Sequence, residues 1–209
     1  MNLRKRRRSN NNGFTLVELA IVLVIIGIIL GAILKGQDLI QNAKAKRVLN
    51  DLKGWEALLW TYYDRYGHLP DDDNLNDYAA TNWRAPNRAP NGYFDHHVTE
   101  RHAEPIYDLR TARLISSSAD VDQVRLHAFG DSFEFGVVSG WSFGSSGPYN
   151  VIAIYNIPRW AAEAIDVAID GGADGNAGRV RRHDNSEWSS GGTGVDDPVT
   201  LYYFFDRAP

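Results

Sequence analysis

The sequence predicts an α+β fold in which one long N-terminal helix packs against an antiparallel β-sheet. Two observations lead to this prediction. No proline occurs from Phe14 to Tyr66, so one helix can run unbroken until Gly67 and Pro70 end it. The C-terminal half contains short segments rich in β-branched and aromatic residues, separated by glycine and proline, which is typical of strands and turns.

The overall composition narrows the class of protein. Hydrophobic residues make up 44% of the 209-residue chain and aromatic residues 11%, which excludes a disordered chain. The chain has 22 Lys and Arg residues and 26 Asp and Glu residues, which gives a net charge of -4. This charge disfavours a general nucleic-acid binder. The chain has no cysteine, so disulfides, thiolate zinc sites and cysteine nucleophiles are excluded.

The first part of the predicted helix is an apolar segment, residues 14–34, whose only charged residue is Glu18. At the rise of an α-helix this segment spans about 31 Å, close to the thickness of the bilayer core. The basic residues Arg4 to Arg8 precede it and would stay in the cytoplasm. An ordinary secretory signal peptide has a shorter apolar region and a small-residue cleavage site after it, so a retained membrane helix fits better.

Glu18 stands out within this segment. A carboxylate in a membrane-spanning helix costs about 2.5–3.5 kcal/mol at the bilayer centre, so such residues usually have a function and a partner. The alternative is a glutamate that reaches the headgroup region, because Glu18 lies near the start of the apolar segment.

The string Gly13-Phe14-Thr15-Leu16-Val17-Glu18 follows the basic leader and begins the apolar helix. It resembles the class III signal of type IV pilins and of the pseudopilins of type II secretion. The resemblance implies that a prepilin peptidase cleaves between Gly13 and Phe14, and that Phe14 is then N-methylated. It also implies that Glu18 pairs with the N-terminal amine of a neighbouring subunit and so sets the register of a filament.

The resemblance divides the chain into a cleaved leader (1–13), a transmembrane and assembly helix (14–34), an amphipathic half of the helix (35–66) and a globular head (67–209). It implies the lollipop architecture of pilins. The implied partners are prepilin peptidase, copies of the chain or related pilins, and an inner-membrane assembly platform. The protein would cross the inner membrane once, with its head outside the cytoplasm, before it enters a periplasmic or surface filament.

Three functions follow from these features. The favoured one is a non-enzymatic structural subunit, either a pseudopilin or a minor pilin, of a type IV pilus-like or type II secretion pilus-like filament. A tip-located binding pilin for DNA uptake or adhesion is the alternative, and a surface formed by Trp83, Trp141 or Trp188 would favour it. A membrane-tethered enzyme is the third.

Two patterns along the helix predict its contacts. Gly27 and Gly31 form a small-xxx-small pair that permits close helix packing, although such glycines are also simply tolerated in membrane helices. Further along, large apolar residues recur at helical spacing and should pack on the head, whereas residues 43–47 should form an exposed turn. The apolar stripe consists of Val48, Leu52, Trp55, Leu59, Tyr62 and Tyr66.

The head contains a loop-rich stretch at 70–104, a short predicted helix at 109–115 and a second helix at 158–169. Strands are predicted at 132–139, 149–155 and 199–205, and the first two should form a hairpin.

Three groups of residues in the head are weak candidates for chemistry. Residues 140–144 match G-x-S-x-G, but a nucleophile elbow must lead into a helix and this segment leads towards a strand. A basic group could pair with a neighbouring subunit or contact DNA, but a turn that is solvated or salt-bridged within the head is favoured. The group consists of Arg179, Arg181, Arg182 and His183. A third group could bind a transition metal, although clustered histidines in a loop are more often simply solvated. It consists of Asp95, His96, His97, His102 and Glu104.

A glycine-rich segment supplies a candidate calcium site. Its hard oxygen ligands suit Ca²⁺, although their spacing does not match an EF-hand, and a glycine-rich turn with solvated acids is the alternative. The segment also resembles a loop that some pseudopilins order with Ca²⁺. The acidic residues 71–73 are a second, weaker candidate for such a site. No other cofactor is expected. The candidate ligands are Asp166, Asp170, Asp174 and Asn176.

Overall fold

The computed structural model describes residues 14–72, 90–139, 143–144, 147–190 and 194–207. The chain divides into two compact units, Met1–Gln41 and Asn42–Pro209.

Helix α1, Leu16–Tyr66, is a single helix of 51 residues, as the sequence predicts. It ends at Gly67, which adopts a left-handed conformation with φ of 78°. The Gly67 backbone N–H donates to the Tyr63 carbonyl oxygen at 2.8 Å, which satisfies one of the carbonyls that a helix end leaves open.

The C-terminal part of α1 buries one stripe of side chains in the second unit. The stripe differs from the prediction at both ends. Ala45 was expected to be exposed but is only 6% exposed, because it lies three residues before Val48 on the same face. Tyr66 was expected to be buried but is 49% exposed, and its ring packs against Tyr62 at 4.5 Å between centroids. The buried residues of α1 are Ala45, Val48, Leu52, Trp55, Leu59 and Tyr62.

Three shorter helices are described in the second unit: α2 at Glu104–Thr111, α3 at Val121–Val124 and α4 at Arg159–Asp170. A 3₁₀ turn, Val98–Glu100, precedes α2. The α4 prediction is confirmed to within one residue at each end. The predicted helix at 109–115 was placed too late, because α2 starts with Glu104 and has proline in its first turn.

Within the described part of the chain, four strands form one antiparallel sheet in the order β1-β2-β4-β3. The strands are β1 (Phe133–Ser139), β2 (Pro148–Pro158), β3 (Val180–Arg182) and β4 (Pro198–Phe204). The three predicted strands and the hairpin between β1 and β2 are confirmed. β3 was missed, because three residues with two arginines carry no strand signal.

Apolar side chains cover both faces of the sheet. On one face, Phe133, Phe135 and Ile152 belong to the main core together with the buried stripe of α1. On the other face, a smaller cluster includes Val98 from the 3₁₀ turn and Phe143 from the hairpin connection. The α+β class that the sequence predicts is therefore the class observed.

A polar network joins α1 to β4 within the second unit. Lys53 Nζ donates to Tyr203 Oη at 2.6 Å and to Glu56 Oε2 at 3.0 Å, and Tyr203 Oη donates to Glu56 Oε2 at 2.9 Å. Arg179 Nη2 lies 3.2 Å from the other carboxylate oxygen, Glu56 Oε1. Lys53 and Arg179 hold the Glu56 carboxylate between them. Because this network is partly exposed, it positions the C-terminal part of α1 against β4 rather than supplying much stability.

His127 is buried, and its hydrogen bonds define the tautomer of its ring. Its Nε2 lies 2.8 Å from the Tyr155 carbonyl oxygen and therefore donates to it. Its Nδ1 accepts from the Phe129 backbone N–H at 3.2 Å. Burial lowers the pKa of His127, and it outweighs the opposing effects of the Tyr155 hydrogen bond and of Asp131 and Asp51.

This shift predicts a pH dependence of stability. The folded state resists protonation of His127, so the stability that the neutral ring contributes is present above the unfolded-state pKa of about 6.5 and is lost as the pH falls below it. We expect His127→Gln, which keeps a donor for Tyr155, to flatten the fall in melting temperature between about pH 7.5 and pH 5. The exposed His183→Gln is the matched control, and an unchanged pH profile in His127→Gln would contradict the assignment.

Candidate assembly site

The N-terminal part of α1 presents an apolar surface in which Glu18 is the one charged residue. Every residue from Phe14 to Leu34 is exposed, and Phe14 itself is 84% exposed. Among the described residues, α1 is the one helix whose length and composition would allow it to cross a membrane. An apolar surface of this size is compatible with a membrane anchor or with packing against other apolar helices.

Glu18 and Thr15 form a capping box at the start of α1. The backbone N–H and the hydroxyl of Thr15 donate to Glu18 Oε2 at 2.8 and 2.9 Å. In return, the Glu18 backbone N–H donates to Thr15 Oγ1 at 3.2 Å. The T-x-x-E spacing from Thr15 to Glu18 is the sequence signal of this motif. Glu18 therefore has a structural role within its own chain in addition to any role between chains.

Gly27 and Gly31 face open space. A Cβ atom built at either position would meet nothing within 4 Å, leaving aside the helix's own neighbouring backbone. Neither residue has the positive φ that would require glycine. Nothing described within the chain therefore explains the two glycines, which leaves a contact between chains as one use for them.

The N-terminal segment matches a known protein family. The family model described as the prokaryotic N-terminal methylation motif matches residues 8–34. The chain carries the type IV pilin signal. The signal predicted from the sequence is thereby confirmed, and it supports a pilin-like protein that prepilin peptidase processes. No curated protein and no solved structure matches the chain.

The matched region begins at Arg8, the last of the basic leader residues, includes the capping box and the glycine pair, and ends at Leu34. It supports processing by prepilin peptidase and assembly with other pilins, and it fits an apolar helix that can anchor the chain in a membrane. The leader and Gly13 lie outside the described residues. The head is not part of the matched region, so its candidate sites depend on their own geometry.

In the candidate calcium segment, the acidic side chains bind backbone amides. Asp170 Oδ2 accepts from the backbone N–H groups of Arg179 and Val180, both at 2.7 Å. Asp174 Oδ1 accepts from the Ala177 backbone N–H at 3.2 Å, and Asn176 is exposed. Asp166, Asp170 and Asp174 do not form a group of three ligand atoms within 4.8 Å of one another. Ca²⁺ at this position stays a prediction.

Asp166 holds the segment together from inside. Its Oδ2 accepts from Trp188 Nε1 at 2.8 Å and from the backbone N–H groups of Asp174 and Gly175 at 3.1 and 3.3 Å. Burial raises the pKa of the Asp166 carboxyl, although these hydrogen bonds oppose the shift. Gly175 has φ of 69°, and a Cβ there would lie 2.8 Å from the Ser186 carbonyl oxygen, so this close approach requires glycine.

The basic group predicted at 179–183 is used mostly within the head. Arg179 Nε donates to the Phe204 carbonyl oxygen at 2.9 Å in addition to its contact with Glu56. Arg181 Nε donates to the Gly178 carbonyl oxygen at 3.0 Å, and Arg182 Nη1 donates to the Ser190 carbonyl oxygen at 2.9 Å. The geometry agrees with the preferred interpretation of contacts within the head, because these guanidinium groups are already engaged by acceptors in the head.

Two other predictions can be placed only in part. Gly140, Trp141 and Ser142 of the G-x-S-x-G match lie outside the described residues, but Ser139 pairs with Pro148 across the hairpin. The segment thus joins two antiparallel strands, whereas a nucleophile elbow leads into a helix. Trp188 was considered for a binding surface, but it is only 2% exposed and bonds to Asp166. Trp83 also lies outside the described residues.

The structure gathers part of the histidine cluster that the sequence indicated. His96, His102 and Glu104 place one ligand atom each within 4.8 Å of one another. His97 does not join them, because its Nδ1 caps the 3₁₀ turn by accepting from the Thr99 backbone N–H at 3.3 Å. The Asp95 backbone N–H donates to the Asp71 carbonyl oxygen at 2.8 Å.

Proposed function

We propose that the protein is a structural subunit, a pseudopilin or a minor pilin, of a type IV pilus-like or type II secretion pilus-like filament. The observation that carries the proposal is the pilin signal on a continuous, fully exposed apolar helix. Prepilin peptidase would cleave between Gly13 and Phe14, and Phe14 would be N-methylated. The chain has no need of catalytic chemistry in this role, because its work is assembly.

Before assembly, the helix would lie in the inner membrane with the head outside the cytoplasm. The five basic residues from Arg4 to Arg8 favour a cytoplasmic leader. Their removal leaves 17 basic residues against 26 acidic ones, so the side-chain charge becomes -9. The assembly platform would then move the helix from lipid into a bundle of pilin helices, where its apolar surface stays covered throughout.

Within the bundle, the new N-terminal ammonium of Phe14 would pair with Glu18 of a neighbouring subunit. Each of these charges is costly to bury alone, and pairing reduces both costs. A charge pair that forms only at one axial offset would fix the register between subunits, while Gly27 and Gly31 would allow close approach of neighbouring helices.

The alternative function, a binding subunit at the filament tip, depends on a recognition surface in the head. Trp188 does not contribute to one, because it is buried, and the basic group at 179–183 is largely committed to contacts within the head. The structural subunit is therefore the function that the described residues support best.

Mass spectrometry of the mature protein tests the processing step. We expect the chain from the membrane of cells that contain prepilin peptidase to begin with N-methyl-Phe14 and to lack residues 1–13. Gly13→Arg, which places a bulky charged side chain at the cleavage site, should retain Met1 and serves as the control. A wild-type protein that retains Met1, or that is cleaved after residue 34, would refute the proposal.

A further inference from the structure

Two imidazoles and a carboxylate converge in the head. His96, His102 and Glu104 each place one ligand atom within 4.8 Å of the others. The rings of His96 and His102 stack with centroids 4.0 Å apart, and His102 Nδ1 lies 3.1 Å from Glu104 Oε2. Ligand atoms around one tetrahedral zinc ion lie about 3.3 Å apart, so small side-chain rotations would bring these groups onto a single ion.

The backbone around His96 is held against the sheet. The Val137 backbone N–H donates to the His96 carbonyl oxygen at 2.9 Å. Gly136 permits this approach, because a Cβ there would lie 2.7 Å from Val98 Cα and 2.9 Å from the His96 carbonyl oxygen. His96 therefore comes from a fixed segment, which is what a preformed ligand set needs.

A buried carboxylate orients the His96 ring. Asp71 Oδ2 lies 2.8 Å from His96 Nδ1, and both side chains are buried. The Asp71 backbone is itself fixed, since its N–H donates to Asp108 Oδ2 at 2.7 Å. With the Nδ1 proton directed at Asp71, Nε2 carries the lone pair. This carboxylate–histidine arrangement is the usual way in which proteins hold a metal-binding imidazole.

The site around His96 and His102 contains more carboxylates than nearby positive charges. Glu100 Oε2 lies 3.4 Å from His102 Nε2, yet this buried oxygen has no hydrogen-bond partner among the described residues. Arg101 is adjacent in sequence but does not neutralise Glu100, because its side chain binds Asp131 and Glu134. With neutral histidines, Asp71, Glu100 and Glu104 together would leave three negative charges, which a divalent cation would largely balance.

We propose that His96, His102 and Glu104 bind a zinc-class transition-metal ion, with Glu100 or a water as the fourth ligand and Asp71 as the residue that orients His96. Two imidazoles with carboxylates and no thiolate suit Zn²⁺ or Cu²⁺, whereas Ca²⁺ and Mg²⁺ prefer all-oxygen sites. The side chains of His102 and Glu104 are more than a third exposed, so an ion reaches the site from solvent.

The ion would act as a structural staple. It would connect the segments that contain Asp71 and His96 to the 3₁₀ turn and to the first turn of α2. The chain has no cysteine and so no disulfide for this purpose. Binding energy for a metal that only the folded state gathers adds directly to the stability of that state.

Calorimetric titration with ZnCl₂ tests the site. The mature full chain is purified in detergent without a polyhistidine tag and stripped with a chelator. We expect one Zn²⁺ per chain and a rise in melting temperature on saturation. His102→Gln and Glu104→Gln should remove both effects, and because both side chains are only half-buried, neither substitution should prevent folding. His183→Gln, in an exposed turn, is the matched control and should bind as the wild type does.

A second variant separates orientation from ligation. Asp71→Asn should weaken Zn²⁺ binding by about 10–100-fold, as is usual for a partner behind a ligand. It should keep the visible absorption of a four-coordinate Co²⁺ complex at saturation, whereas His102→Gln should lose it. Absence of saturable Zn²⁺ binding at millimolar metal would overturn the proposal, and so would wild-type binding by both His102→Gln and Glu104→Gln.

Discussion

Replacing Glu18 with alanine should remove the protein from filaments and leave its insertion into the membrane intact. The reason is the cost of the N-terminal ammonium of Phe14 in an apolar helix bundle, which a neighbouring Glu18 would offset. Without the carboxylate, an assembling subunit buries an unpaired charge, and breaking one side of a buried pair costs about 3–5 kcal/mol. That is a factor of more than a hundred in incorporation.

The capping box offers a competing explanation of any defect. Glu18 and Thr15 stabilise the start of α1 through three mutual hydrogen bonds, so alanine at Glu18 also weakens the first turn. Thr15→Ala removes the hydroxyl from this box, at a cost of about 1 kcal/mol, but keeps the carboxylate. Glu18→Gln keeps an oxygen that can accept from Thr15 but loses the charge.

The two variants therefore distinguish a role within the chain from a role between chains. We expect Glu18→Gln to fail in assembly nearly as completely as Glu18→Ala, and Thr15→Ala to assemble with a mild reduction. Immunoblotting of sheared filaments against carbonate-washed membranes measures both pools. If Thr15→Ala is as defective as Glu18→Gln, the capping box explains the defect; if Glu18→Gln assembles normally, the charge pair has no part in register.

The sequence was sufficient for the elements with long, regular patterns. The absence of proline up to Pro70 and the terminating Gly67 located α1 correctly, and the alternating segments located β1, β2 and β4 to within one residue or a few. These elements are set by local propensity and by burial of one face, which are properties that the sequence pattern expresses directly.

Elements fixed by tertiary contacts were harder to predict. β3 is a strand because β4 offers it an edge and because Asp170 binds its first backbone amide, not because Val180–Arg182 prefer an extended conformation. The type IV pilin signal could be identified from the sequence because its motif is contiguous, and the family model matches it at residues 8–34. The His96 cluster was only suspected, because its orienting residue, Asp71, lies 25 positions earlier in the chain.

Leu52→Ala should destabilise the head by about 2–5 kcal/mol without affecting the assembly signal. Leu52 is fully buried, and it lies in the middle of the stripe by which α1 enters the main core beside Trp55 and Phe133. Truncation loses the transfer energy of three carbons and leaves a cavity that a helix packed on a sheet cannot collapse. Leu52→Met keeps the volume and should cost less than about 1.5 kcal/mol.

The same helix supplies the matched control. Leu39 is 62% exposed and lies in the first compact unit, so Leu39→Ala removes the same atoms without opening a cavity. Urea unfolding of the mature chain in detergent, monitored by tryptophan fluorescence, should show a lower midpoint for Leu52→Ala and an unchanged midpoint for Leu39→Ala. Processing to Phe14 should be normal in both, because the pilin signal ends before either residue. Equal stability of the two variants would mean that α1 does not form part of the head's core.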